Sequence, residues 1–150
     1  MAVSTIDQQK AHVREFNEAV FNGRDYDALD ALVADDVVQH GGPGGEEVRG
    51  IGGMRAYFRM LHTAFPDLEA TIEDQVAEGD LVATRYTYRG THDGAFVGIP
   101  ATHKPVTITG TVFTRIEDGK TVETWVNADV LGLMRQVGVF SPDLLGGPSA

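Results

Sequence analysis

Apolar residues recur at helical spacing in the first third of the chain and at alternating spacing beyond it. Val13, Phe16, Val20 and Phe21 mark one face of a helix that Ser4 or Thr5 caps and Asn22-Gly23 stops. Asp25 reads as the N-cap of a short helix carrying Tyr26, Leu29, Leu32 and Val33. Asp36 to His40 predicts a brief strand, closed by the glycine-rich loop Gly41 to Gly45. A third helix, from about Ile51 to Ala64, presents Met54, Tyr57, Phe58 and Leu61 on one face, and Pro66-Asp67 ends it.

From Leu68 the pattern is that of long strands. Leu68 to Glu78 alternates loosely, Glu78-Gly79-Asp80 supplies a turn, and Leu81 to His92 is rich in Thr and Tyr, as strands prefer. A loop containing Gly94, Gly98 and Pro100 leads to a strand from Pro105 to Ile116. Asp118-Gly119 is a hairpin signal, and Thr121 to Asp129 returns from it. Val130 to Val139 reads as a short helix or a ragged strand, and residues 1–4 and 141–150 as loose ends. With no repeat, linker or low-complexity block, residues 1–150 read as one domain. Helices followed by a strand meander predict an α+β fold, a curved antiparallel sheet packed against the N-terminal helices. A sheet bent around helices encloses a pocket, lined by one parity of each strand.

Composition narrows the function. Twenty-two acidic residues stand against 12 basic ones, for a net charge of −10, which argues against nucleic acid and anionic membrane as partners. There is no cysteine, so disulfides and thiolate chemistry are excluded. The first ten residues do not read as a signal peptide, and no apolar run approaches the roughly 20 residues of a membrane span. A cytoplasmic location is the expectation.

The candidate chemistry lies on the strands. Trp125, Asn127 and Asp129 alternate with Val126 and Ala128 and so share a face. If that face is the concave one, Asp129 is a carboxylate in an apolar setting, suited to taking and returning a proton. The alternative is that Asp129 caps the terminal helix. In Leu81 to His92, one parity holds Tyr86, Tyr88 and His92 and the other holds Arg85 and Arg89; both mix polar and apolar groups, so either can be concave. His92 and His40 sit at strand ends next to glycine-containing loops, where imidazoles often do chemistry. His12 and His62 read as solvated helix residues, and His103 as a loop residue. His40, His92 and Asp129 lack a ligand spacing that would mark a metal site, and no metal is expected. Phosphate-binding glycine motifs and a Gly-x-Ser-x-Gly elbow are absent from the sequence.

Several segments together resemble the SnoaL-like polyketide cyclase family. They are Ala64-Phe65-Pro66-Asp67, Gly90-Thr91-His92-Asp93-Gly94, Gly98-Ile99-Pro100, the hairpin Arg115 to Lys120, and Glu123-Thr124-Trp125-Val126-Asn127-Ala128-Asp129. The resemblance implies the cone-shaped nuclear-transport-factor-like (cystatin-like) fold. It also implies cofactor-independent ring closure of a polyketide by intramolecular aldol condensation. Asp129 then matches the general acid–base residue, with His92 and His40 in supporting roles. Trp125, Asn127, Arg85, Tyr86, Phe58 and Met54 are the pocket candidates. Ala101-Thr102-His103-Lys104 departs from the family's usual Pro-Thr-Gly-Lys turn at the pocket rim, which bears on substrate choice.

The expected ligand is a small apolar or aromatic carbonyl compound, no cofactor is called for, and a homodimer is the expected assembly. Two alternatives stand beside the cyclase: another lyase, isomerase or hydrolase of the same fold, and a non-catalytic dimeric module that binds a ligand. A cavity below about 300 Å³, or an Asp129 facing solvent, favours the last.

Overall fold

A computed structural model describes residues 5–139. The expected loose ends, and Ser4 as an alternative cap, lie outside the described residues. Helix α1, Ile6–Phe16, begins with a capping box: Gln8 N–H donates to the Thr5 hydroxyl (3.0 Å) and Thr5 N–H to the Gln8 side chain (2.8 Å). The helix then widens into a π-turn over Asn17–Asn22. Two asparagines on that turn hold strand β3. Asn17 and Asn22 both donate to the Ala70 carbonyl (2.9 and 3.0 Å), and Ala70 N–H returns a bond to Asn22 (2.8 Å). The turn thus binds the sheet while Phe16 and Phe21 both face inward.

After a 3₁₀ turn, Tyr26–Ala28, and the short helix α2, Leu29–Leu32, the chain enters β1, Val33–Gly41. Asp25 does not cap by its side chain, contrary to expectation; the turn is closed through backbone groups instead. Strand β1 is longer than the brief strand expected, because Val33 and Val37 are buried and extend its inward row to Gln39. The two-residue β2, Val48–Arg49, precedes α3, Gly50–Ala64, whose Met54, Phe58 and Leu61 are buried. Four long strands follow: β3 Glu69–Glu78, β4 Leu81–Thr91, β5 Pro105–Glu117 and β6 Lys120–Ala128. Helix α4, Val130–Gln136, settles the helix-or-strand alternative.

The fold is α+β, and the six strands of the described residues form one curved sheet in the order β2-β1-β6-β5-β4-β3. The meander β3-β4-β5-β6 is antiparallel, as the turn signals predicted, with Asp118 and Gly119 both at positive φ in the β5–β6 hairpin. The sheet is not wholly antiparallel, however: β1 pairs in parallel with β6. Register breaks between Ile72 and Asp74 and between Arg115 and Ile116 bend the long strands. Helix α3 packs on β1 and α1 on β3, so the helices close one side of the curve. No helix among the described residues is long and apolar enough to cross a membrane.

Candidate functional site

Between the helices and the concave face of the sheet lies a cavity of about 120 Å³, partly open to solvent. Phe16, Phe21, Met54, Tyr57, Phe58 and Leu61 line it from the helical side. Phe58 organises that wall, meeting Phe16, Phe21 and Tyr57 edge-on at centroid distances of 5.6, 5.4 and 5.3 Å. The sheet contributes Tyr86 and Tyr88, stacked at 5.4 Å, with Ile108, Val112, Val126 and Ala128. Gly42, Pro43, Val130 and Leu133 also border it, so the loop after β1 and the start of α4 both reach the site.

The polar groups in this wall are few and neutral. Burial pushes the Tyr57 phenol up to about 12, with the Gln39 amide pulling slightly the other way. Burial also raises Tyr86 and Tyr88, and for Tyr88 the neighbouring Tyr86 and Tyr57 add to the effect. All three hydroxyls therefore keep their protons at ordinary pH and present hydrogen-bond donors. Gln39 lines the cavity at 3% exposure. Its Oε1 receives a long bond from the Thr124 hydroxyl (3.4 Å), and its Nε2 has no partner among the described residues.

Of the pocket residues expected from sequence, Met54, Phe58 and Tyr86 lie in this lining. Trp125, Asn127 and Arg85 do not, and this is a correction of strand parity. The residues of β6 that face the cavity are Thr124, Val126 and Ala128, which turns Trp125 and Asn127 to the outer face. There Trp125 is sandwiched between the His40 ring (5.5 Å) and the Arg115 guanidinium (5.6 Å). Arg85 is exposed and its Nε donates to Asp74 (2.9 Å).

The three residues expected to act together are set apart. His40 faces outward, bonding Glu123 through Nε2 (2.6 Å) and approaching Glu47 through Nδ1 (3.3 Å). His92 is 1% exposed and stands behind the cavity wall, its ring against Phe65 at 5.5 Å. Its Nδ1 meets the Thr102 hydroxyl (2.9 Å) and amide (3.3 Å), which pins the loop after β4, while Nε2 has no partner among the described residues. Asp129 is exposed and caps α4, its carboxylate accepting Gly132 N–H at 2.9 Å. It falls between two lining residues, Ala128 and Val130, without lining the cavity itself. Among the described residues, no three His, Asp or Glu side chains converge as a metal site requires.

Sequence reasoning passed over Gln39 and Tyr88. The signal for each was parity, since Gln39 follows Val37 on the buried row of β1 and Tyr88 follows Tyr86 on that of β4. His62 is a second correction. It is 8% exposed rather than solvated, with Nδ1 bonded to the Tyr26 hydroxyl (2.6 Å) and Nε2 to the Phe21 carbonyl (2.7 Å). It lies four residues beyond Phe58, on the same buried face of α3. His12 is likewise half-buried, bonded to the Thr121 hydroxyl at 3.0 Å.

The fold has close counterparts among solved structures. TsrD from Streptomyces laurentii is 32% identical, over 92% of this chain and 100% of its own, with a TM-score of 0.82. IdmH from Streptomyces antibioticus, a proposed polyketide cyclase, is 35% identical over 87% of this chain and 99% of its own, with a TM-score of 0.75. AclR from Streptomyces galilaeus, a proposed hydroxylase, is 28% identical over 91% and 100%, with a TM-score of 0.79. No curated protein matches. The profile of the SnoaL-like polyketide cyclases matches residues 11–137, from the middle of α1 to the end of α4 and so across every element that walls the cavity, and the chain belongs to that family.

Proposed function

We propose that this protein binds a small, largely apolar molecule bearing conjugated carbonyls and closes a ring in it by intramolecular aldol condensation. The observation that carries this reading is the aromatic and aliphatic cavity, walled by neutral groups and bordered by Ala128 and Val130 on either side of Asp129. Membership of a polyketide cyclase family supports the same substrate class.

In this reading Asp129 is the acid–base group. Its carboxylate takes a proton from a carbon flanked by two carbonyls, and the substrate's own conjugation spreads the resulting charge. The carbanion adds to a carbonyl carbon of the same molecule, a C–C bond forms, and the new alkoxide recovers the proton from Asp129. To do this the carboxylate gives up its bond to Gly132 N–H. Losing an N-cap bond costs about 1 kcal/mol. A general base contributes roughly 10²–10⁴ in rate, or about 3–5 kcal/mol of barrier. The gain exceeds the cost, so capping and catalysis are compatible in one residue.

Binding without chemistry is the second reading. It is favoured by the exposure of Asp129 and by a cavity smaller than the roughly 300 Å³ usual for ligand sites. The deciding experiment identifies by mass spectrometry any molecule that co-purifies with the protein, then follows its conversion by wild type and by Asp129→Asn. The cyclase reading expects turnover lowered by roughly 10²–10⁴ with binding retained. Equal turnover by the variant removes Asp129 from the mechanism. Binding with no conversion by either protein establishes the second reading.

A further inference from the structure

We infer that Gln39 and Tyr57 form a paired donor site within the cavity that receives a carbonyl or enolate oxygen of the ligand. The inference builds on the proposed class of ligand and names the two groups that orient it.

Gln39 projects from β1 into a wall that is otherwise nearly all apolar, and it is 3% exposed. Buried side-chain amides almost always have partners for their N–H groups, because water is not there to replace them. The Gln39 Nε2 has none among the described residues. Its orientation is not free either: Thr124, also in the wall, donates to Oε1 and so turns the NH₂ end away from β6. Tyr57 reaches the same place from α3. Its phenol is near enough to feel the Gln39 amide, yet Nε2 makes no hydrogen bond to it. Gly42 closes over the Tyr57 ring; a Cβ there would sit 3.3 Å from Tyr57 Cε2 and 3.6 Å from its oxygen.

Two donors on different elements thus flank one spot in an apolar cavity. What suits that spot is an oxygen with lone pairs and no proton of its own, a ketone oxygen or the enolate derived from it. Tyr57 is fit for the task because burial keeps its phenol protonated. As charge grows on the oxygen during proton abstraction, both bonds strengthen, so the pair stabilises the enolate more than the ketone.

The test compares two probes of the same ring skeleton, α-tetralone and tetralin, which differ by one carbonyl. Calorimetry should show wild type binding the ketone about tenfold more tightly, the ratio expected for one net hydrogen bond. The infrared C=O band of the bound ketone should move to lower wavenumber. Gln39→Met matches the side chain in length and removes the amide. It should lower the preference and move the band part-way toward its position in hydrocarbon. Tyr57→Phe, which keeps the ring, should reduce the preference and the band shift part-way, and it serves if the Gln39 variant misfolds. An unchanged preference and band in both variants overturns the inference, leaving Nε2 to a buried water. Wild type that binds tetralin as well as the ketone also overturns it, while the cavity reading stands. If neither probe binds, the cavity reading fails and the donor pair with it.

Discussion

The Asp129 carboxylate accepts the Gly132 amide at 2.9 Å, and Gly132 is the residue whose missing side chain makes room for that carboxylate. A Cβ at Gly132 would collide with one carboxylate oxygen and the carboxylate carbon and crowd the other oxygen. The pair is therefore a matched N-cap for α4, whose Leu133 is buried in the core and borders the cavity.

This relationship predicts how two substitutions divide. Asn is as good an N-cap as Asp, so Asp129→Asn should unfold within a few tenths of a kcal/mol of wild type. Asp129→Ala removes the acceptor and should cost about 1 kcal/mol, lowering Tm by roughly 2–4 °C in a chain of this size. Calorimetric melting of the two variants checks it. Equal melting of wild type and Asp129→Ala would mean that the cap contributes nothing.

Phe58 is 3% exposed and makes three edge-on aromatic contacts, so the helical wall of the cavity rests on it. Phe58→Ala should destabilise the protein by about 3–5 kcal/mol, the transfer term plus an unfilled void. Urea unfolding should show a lower midpoint with an unchanged slope. A loss under about 1 kcal/mol would show that Phe16 and Phe21 collapse into the gap.

The meander was legible in the sequence because its signals are local. Asp118-Gly119 sets one hairpin, Glu78-Gly79-Asp80 another, and the strands between alternate. The parallel pairing of β1 with β6 was not, since His40 and Trp125 meet across 85 positions with no turn between them to fix a register. The parity of β6 was misread for a different reason. The size and apolarity of Trp125 favour a concave placement. Yet the inward row is Thr124, Val126 and Ala128, and Trp125 is instead covered from outside by His40 and Arg115. Much of the candidate site followed from that choice, so Asn127 moved outward with Trp125 while Met54, Phe58 and Tyr86, read from other elements, stayed in the cavity. His62 was hidden by residue type. Its place beside Phe58 on α3 is a core position, and its polarity is met there by Tyr26 and the Phe21 carbonyl.

His62 and His12 give stability a dependence on pH. Both have their pKa lowered below the ordinary 6.5, chiefly by burial, with Arg24 adding to the effect at His62. The unfolded chain thus binds protons that the folded chain refuses, and stability rises with pH across that window. The contribution is complete above about pH 6.5 and is lost as pH falls through the lowered folded values. Denaturant unfolding at a series of pH values between 5 and 8 should show this slope. His62→Gln, which does not titrate, should make the slope shallower. An identical slope in the variant would assign the whole effect to other groups.

The outer face of the sheet bears on assembly. Phe113 is 45% exposed at the centre of β5, directly opposite Trp125 on β6 and Ala83 on β4. Thr107, Thr109 and Thr111 continue the same row along β5, so the patch combines an aromatic centre with a β-branched surround. An exposed phenylalanine in the middle of a sheet face is poorly explained by folding alone, because folding leaves it in water. Pairing two such faces removes both rings from water, and the expected assembly is a homodimer through this surface. A carboxylate at its centre would then face its symmetry mate across a two-fold axis, combining desolvation with like-charge repulsion. Phe113→Glu should therefore sediment near the monomer mass of 16.2 kDa at micromolar concentration, where wild type should sediment at about twice that. The substitution lies on the solvent side of the sheet, so the far-ultraviolet circular dichroism should not change. Wild type that sediments as a monomer, or a Phe113→Glu variant that remains dimeric, would place the contact elsewhere or remove it.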